Sequence, residues 1–309
     1  MSDALEIWDK PTEKEVYLLA GWRQWVDAGS ISSGLPRYLA RQTKARKIGE
    51  IKPDPFYLFQ FPGTHDLVRP IIRFNEGYPE SLDTKRNEFF YSGDGQRGLV
   101  FFIGDEPHLN IEEYVQAILS AAKTFNVRRI VLFGGIYGEL PYDKERIIHS
   151  IYSMKSMKAE VSSLAVNLSS YHGGGSIGSY LARRAGEQEM ELAGFYTFSP
   201  AYHFGGLENL GNTITIENDY MAWLGVMRRV NHFLGIRLDL DDLEAKSQQL
   251  IEMMDAKIEE LDKKAPQLGV REYVQQLSDE FTEFSFNPLE DVWEEELRRL
   301  EDKLDSDEV

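Results

Sequence analysis

The chain has 309 residues, no cysteine and a formal net charge of −17, a length that fits one large α/β domain with an appendage or two small domains. The lack of cysteine excludes disulfides, thiolate nucleophiles and cysteine-held zinc, and the acidic balance argues against nucleic acid as a partner unless cations are segregated locally. No apolar stretch approaches the ~20 residues of a spanning helix, and Met1-Ser2-Asp3-Ala4-Leu5-Glu6 has no basic stretch leading into an apolar run, so no membrane and no secretory signal are expected and the expected location is cytoplasmic.

Val16-Tyr17-Leu18-Leu19-Ala20 predicts a buried strand that ends at Gly21-Trp22. Asp27-Ala28-Gly29-Ser30 then opens a helix through Leu35, Tyr38 and Leu39, with Asp27 or Ser30 as its cap and Pro36 near its start. That helix and the turn after it carry the densest basic stretch, Arg37, Arg41, Lys44, Arg46 and Lys47, which reads as a solvated helix face. Residues 47–103 are β-rich. Phe56-Tyr57-Leu58-Phe59-Gln60-Phe61, Ile71-Ile72-Arg73-Phe74, Glu88-Phe89-Phe90-Tyr91 and Leu99-Val100-Phe101-Phe102-Ile103 are extended runs separated by Pro and Gly.

A helix is expected from about Asn110 to Phe125, with Ile111, Val115, Ile118, Leu119 and Ala122 on one face. Arg129-Ile130-Val131-Leu132-Phe133 is a strand buried on both sides that ends at Gly134-Gly135. Leu164 to Leu168 is a further strand, a helix runs from about Ser176 to Gln188, Gly194 to Phe198 is a strand, and a helix over 218–234 closes the body. Strands alternating with helices imply a mixed sheet covered on both sides, and ligands of such sheets sit at the carboxyl ends of strands. The candidate ligand or partner site is therefore Gly21, Trp22, Asp27, Gly104, Glu106, Gly134, Gly135, Tyr171, Gly174 and Ser176.

Beyond Gly235 the composition changes. From Asp239 to Val309 there are 23 acidic and 8 basic residues, so the body is nearly neutral. Leu240, Leu243, Leu250, Met254, Ile258 and Leu261 form an apolar stripe on one long helix, broken at Pro266. Val274, Leu277, Phe281 and Phe284 define a second helix, and Leu289, Trp293, Leu297, Leu300 and Leu304 a third. The expected units are an α/β domain over 1–235, a helical segment over 236–285 packed on the body or a neighbouring subunit, and an acidic tail over 286–309.

Several constellations invite a catalytic reading. Gly174-Gly175-Ser176-Ile177-Gly178 matches G-x-S-x-G between a strand and a helix, the context of a nucleophile elbow. Against it, the adjacent His172-Gly173-Gly174-Gly175 would have to come from a different loop to complete an oxyanion hole. Asp219 and His232 fall on one helix, a poor place for a triad acid and base. A glycine-rich turn at a helix N-terminus explains the same residues. Neither glycine cluster makes a phosphate loop. The six histidines, His65, His108, His149, His172, His203 and His232, have no zinc-binding spacing, so no metal and no cofactor is expected. Asp27, Asp105 and Glu106 lie at strand ends, where carboxylates either do acid–base work or cap turns. Trp22, Trp25, Tyr78, Phe89 and Tyr91 fall near loops or edges, and aromatics there serve a core or an interface.

In order along residues 15–285, these motifs resemble the proteasome assembly chaperone family, in its prokaryotic branch related to the second eukaryotic chaperone. The resemblance is carried by Gly21-Trp22 with Asp27-Ala28-Gly29, by Pro53-Asp54-Pro55-Phe56-Tyr57-Leu58-Phe59-Gln60 with Arg69-Pro70, and by Gly104-Asp105-Glu106-Pro107. It continues through Arg129 to Gly135, Tyr171 to Ile177, Pro200-Ala201-Tyr202 and Tyr273-Val274-Gln275-Gln276-Leu277. Pro141-Tyr142-Asp143-Lys144, Leu58 and Ser176 depart from the family pattern, and Ser176 stands at a family glycine. The resemblance implies a three-layer α/β/α sandwich of the phosphorylase/hydrolase-like kind. It also implies a homo-oligomer, often a trimer, and a non-catalytic binding or assembly role toward another protein complex. Relatives that dock on the proteasome with a hydrophobic-Tyr-x tail differ from this chain, which ends Asp307-Glu308-Val309, so docking in that mode is not expected. The alternative is an enzyme or small-molecule binder at the strand ends. A deep pocket joining Trp22, Glu106, Gly135 and Ser176 would favour it.

Overall fold

The computed structural model describes residues 4–23, 25–60, 68–204, 213–283 and 286. The strands are β1 (Leu5–Ile7), β2 (Glu15–Arg23), β3 (Arg46–Ile51), β4 (Ile71–Asn75), β5 (Tyr78–Asp83), β6 (Asn87–Gly93), β7 (Arg97–Asp105), β8 (Val127–Gly138), β9 (Ile148–Tyr152), β10 (Asn167–Leu168), β11 (Glu191–His203) and β12 (Thr213–Thr215). The helices are α1 (Gly34–Gln42), α2 (Ile111–Thr124), α3 (Lys158–Ser162), α4 (Ile177–Glu187), α5 (Tyr220–Leu234), α6 (Asp241–Lys264) and α7 (Val270–Glu280).

All strands but β4 and β5 form one sheet in the order β1-β3-β6-β7-β2-β8-β11-β9-β10, with β12 added to β11. Its centre, β7-β2-β8-β11, is parallel, whereas β1, β3 and β6 on one side and β9 on the other run antiparallel to their inner neighbours. Side chains on a strand alternate between faces, and here both faces are apolar. Along β2, Tyr17 and Leu19 pack with α1 and α5, while Val16, Leu18, Ala20 and Trp22 pack with α2 and α4. The result is a three-layer α/β/α sandwich with a mixed sheet, as expected. Among the described residues no helix is long and apolar enough to cross a membrane.

The C-terminal stripe is buried against the body. Leu243 joins the α1–α5 core. Leu250, Met254 and Ile258 of α6, with Val270 and Val274 of α7, close over Tyr142, Tyr202 and Ile216. Tyr142 donates to Asp255. Pro266 separates the two helices. The expected third helix, through Leu289, Trp293, Leu297, Leu300 and Leu304, lies outside the described residues.

Four local expectations change. The helix after β2 starts at Gly34, because Gly29 takes a left-handed φ of 60° in a preceding 3-10 turn. Phe56 to Gln60 is not a strand. Phe56 turns inward, edge-on to Tyr114 at 5.2 Å, and its carbonyl accepts from the His108 and Leu109 amides. β8 runs on past Gly134-Gly135 to Gly138. The strand expected at Leu164 to Leu168 shrinks to two residues, since Ala165 has a φ of 50°.

Candidate functional site

The site is built by the loop that follows β2. The Gly135 amide donates to the Val26 carbonyl at 2.9 Å, and Asp27 makes an isolated parallel bridge to Gly135. Asp27 then turns its carboxylate back onto its own loop, accepting from the Ser33 amide (2.8 Å) and hydroxyl (2.7 Å). Burial raises its pKa, and those hydrogen bonds oppose the rise. On the other side, the Gly29 carbonyl accepts from the Asp219 amide (2.9 Å) and the Trp223 indole (3.1 Å).

This loop forms one wall of a cleft of about 740 Å³ at the carboxyl ends of β8 and β11. The rim is aromatic and open, with Trp25 72%, Tyr137 51% and Tyr171 74% exposed. Ile136, Phe198 and His149 also line it. The His149 ring meets Phe198 edge-on at 5.1 Å, and burial lowers its pKa, favouring the neutral imidazole.

Polar groups in the cleft and in the recess beside it are already engaged. Ser176 is the N-cap of α4, with its Oγ accepting from the Ser179 amide at 3.2 Å. Its other neighbour is the Tyr196 hydroxyl, at 3.4 Å. Glu106 accepts from the Ile177 amide (3.0 Å) and the Trp25 amide (3.3 Å), so it ties the end of β7 to α4 and to the loop. Its pKa is raised by burial, against the pull of those two amides. A carboxylate at this position complements the positive end of the α4 dipole. Asp219, which a triad would need, caps α5 and pairs with Arg146 inside the protein. Among the described residues no three His, Asp or Glu side chains converge to hold a metal ion.

The candidate residues divide into three groups. Asp27, Gly135, Tyr171, Gly174 and Ser176 line the cleft. Trp22, Glu106 and Ser176 border a separate recess of about 20 Å³, room for little more than a water molecule. A single deep pocket joining Trp22, Glu106, Gly135 and Ser176 is therefore not formed. Trp22 itself is buried, its indole donating to the Tyr114 hydroxyl at 3.0 Å.

Gly21, Gly104 and Gly134 serve close packing. A Cβ on Gly21 would lie 1.8 Å from the Ser32 carbonyl oxygen, and one on Gly134 would lie 2.5 Å from the Tyr196 ring. Gly104 borders a different groove. Ile136, Tyr137, His149, Tyr196 and Phe198 also line the cleft, and none of them is among the residues that the sequence singles out as a candidate site. Register brings them together, with Tyr196 opposite His149 and Phe198 opposite Ile136 on flanking strands. The one sequence signal for them was the alternation that carries β8 and β11 past their glycines.

Fold and cleft together define an α/β/α sandwich protein with an aromatic-rimmed cleft at the carboxyl ends of its central strands. The chain belongs to the PAC2 family, whose model matches residues 22–258. Among solved structures it is similar to the proteasome-assembly chaperone homologue Rv2125 of Mycobacterium tuberculosis (19% identity, 77% of this chain and 94% of that one, TM-score 0.66). It is also similar to a PAC2 family protein of Streptomyces avermitilis (18%, 84% and 100%, 0.65) and to Pyrococcus furiosus PbaB, an archaeal proteasome activator (18%, 82% and 97%, 0.55). At such identities the likeness is one of fold. No curated protein matches the chain.

Proposed function

We propose that this protein is a non-catalytic binding protein of the assembly-chaperone kind, acting in the cytoplasm, which holds an apolar segment of a partner protein complex in the aromatic-rimmed cleft. One observation carries this reading. Trp25, Tyr137 and Tyr171 stand exposed around the cleft, while Ser176, Asp27 and Glu106 are engaged by neighbouring amides and hydroxyls. Large aromatics of this kind dominate protein interfaces, because each removes much apolar area from water at little entropic cost. The fold is shared with the proteasome activator PbaB and with PbaA, an archaeal homologue of proteasome-assembly chaperone, which makes proteasome subunits the first partner to test. The alternative of an enzyme or small-molecule binder draws on the cleft volume, which lies within the roughly 300–1,000 Å³ of small-molecule sites.

In gel filtration with purified proteasome α subunits, the protein is expected to co-elute with them. Trp25→Ala/Tyr171→Ala should weaken the association at least about 30-fold, as for two interface anchors worth ~1 kcal/mol or more each. α subunits that elute alone, or that bind the double variant equally well, would exclude this use of the cleft.

We also propose that the protein self-associates through the β4–β5 hairpin, with three copies as the family resemblance implies. Among the described residues β4 and β5 pair only with each other, and Ile71, Phe74, Tyr78 and Leu82 are all more than half exposed. A lone two-stranded hairpin is marginal in water, and apolar side chains grouped this way favour an interface. Phe74→Glu/Tyr78→Glu is expected to shift the light-scattering mass from an oligomer to the 35.5 kDa of one chain. A wild-type protein already at that mass, or a variant that stays assembled, would remove the proposal.

A further inference from the structure

A second groove, larger than the cleft, opens on the α1 side of the sheet. It occupies about 1080 Å³ between α1 and the base of the β4–β5 hairpin, over β6 and β7. Its floor is apolar, with Leu58, Phe90 and Ile103. Its walls are basic. Arg37, Arg41 and Lys44 come from α1 and the turn after it, and Arg23, Lys85 and Arg86 arrive from other parts of the chain.

Seven basic and four acidic residues line the groove, in a chain whose net charge is −17. Asp105, itself buried, pairs with Arg23 at 2.7 Å and has Lys85 3.7 Å away. Arg86 reaches Asp83 at 3.8 Å, and Lys47 holds Glu88 at 2.7 Å. Among the described residues, Arg37, Arg41 and Lys44 have no side-chain ion pair. Burial and the neighbouring guanidinium groups of Arg23 and Arg41 lower the pKa of Arg37, as expected of a cation among cations. The cationic excess over an apolar floor suits a partner that presents apolar side chains beside carboxylates.

The β4–β5 hairpin has that chemistry. Every residue of both strands is exposed. Ile72 lies opposite Leu82, and Phe74 opposite Pro79. Residues directly opposite in an antiparallel pair share a face, so these four make one apolar face open to solvent. Glu76 stands in the turn and Glu80 at the bulge between the two pairings, with Arg73 as the one cation between Ile72 and Leu82. The hairpin does not serve its own groove. Only its base, at Ile71 and Asp83, borders that groove, and residues 72–82 do not line it. From Ile71 to Asn75 the strand carries the tip ~14 Å from the rim.

We propose that the groove receives the β4–β5 hairpin of a second copy of this chain, with Ile72, Phe74 and Leu82 against the floor and Glu76 and Glu80 toward Arg37, Arg41 and Lys44. This rests on the self-association proposed above and adds the surface that the hairpin meets. The contact joins two different patches, so it repeats head to tail and closes as a ring rather than ending at a pair. It is independent of the partner cleft at the carboxyl ends of β8 and β11.

The absence of cysteine makes the contact readable by cross-linking. With Arg41→Cys/Glu76→Cys on the full chain, a short bis-maleimide is expected to link chains into a ladder longer than two, whereas Arg41→Cys and Glu76→Cys alone stay at one chain. Charge gives a second readout. Arg37→Glu/Arg41→Glu should bring the light-scattering mass down toward the 35.5 kDa of one chain, and adding Glu76→Lys/Glu80→Lys to the same chain should restore it. Cross-linking of Glu76→Cys alone would set hairpin against hairpin. A double-cysteine chain that links only within itself, a groove reversal that leaves the mass unchanged, or a mass that the second pair of substitutions does not restore would send the hairpin elsewhere. Each of these outcomes overturns the docking and leaves self-association through the hairpin standing. A wild-type protein already at the mass of one chain removes both.

Discussion

Asp219→Ala is expected to lower the unfolding free energy by about 3–5 kcal/mol, the cost of stranding one member of a buried ion pair. The Arg146 and Asp219 side chains are both fully buried, 2.9 Å apart. Asp219 also accepts from the Ser199 hydroxyl (2.9 Å) and caps α5 through the Ala222 amide (3.1 Å). Arg146 also donates through Nη1 to the carbonyls of Pro141 (3.1 Å) and Lys144 (2.7 Å). This one carboxylate therefore joins the loop before β9, the end of β11 and the start of α5. Its removal leaves a guanidinium deep in the protein with no counter-charge, so the loss exceeds that of an ordinary hydrogen bond. In thermal melts the shift should be on the order of 10 °C downward. Replacing both partners, Arg146→Met/Asp219→Leu, should cost less than Asp219→Ala alone, since no unpaired charge remains. A single variant that melts within a degree or two of wild type would show that the pair does not hold these three elements together.

The same residues mark where sequence reasoning stops. Asp219 and His232 were placed on one helix, which was enough to discount them as a triad, but nothing local announced that Arg146 lies beside Asp219. Ion pairs over 73 positions are set by the sheet order and leave no periodic trace. The core was legible for the opposite reason. β2, β7 and β8 are apolar on both faces, and α2 repeats its apolar residues at helical spacing, so each declares its burial within a few residues. Strand β5 escaped notice because Tyr78-Pro79-Glu80-Ser81-Leu82-Asp83 does not alternate and contains a proline, which strands accept at edges, at their first residue or, as here opposite Phe74, beside a bulge.

The two grooves show the same limit. Arg37 and Arg41 look like an ordinary solvated helix face when read in line. The groove appears only when Arg23, Lys85 and Arg86 arrive from elsewhere. At the cleft, Ser176 stands in the right motif for a nucleophile, and its hydroxyl is taken by the cap of α4. The motif and the cap use the same strand–turn–helix geometry, and the three-dimensional partners of the oxygen decide between them.

Gly135→Ala is expected to act on stability and on the cleft together. A Cβ there would fall 2.0 Å from the Ala28 carbonyl oxygen and 2.8 Å from the Ala28 nitrogen. Both are backbone atoms, so no rotamer change relieves the contact. The loop over residues 25–31 would have to lift from β8, breaking the hydrogen bond from the Gly135 amide to Val26 and the bridge to Asp27. Forcing extra volume into a closed contact costs about 1–3 kcal/mol, and the lost amide bond adds about 1 kcal/mol. Trp25 and Val26 ride on that loop and line the cleft, and Glu106 reaches the loop through the Trp25 amide. Movement of the loop would therefore displace the cleft wall while leaving the α2–α4 side of the sheet packed. Two readouts separate these effects. The melting temperature should fall by several degrees. Hydrogen exchange should quicken in residues 25–31 and stay slow in α2, because local opening frees only the amides that the loop had covered. Uniformly faster exchange would mean that Gly135 supports the whole sheet, and unchanged exchange in the loop would mean that its close approach to β8 is not what shapes the cleft.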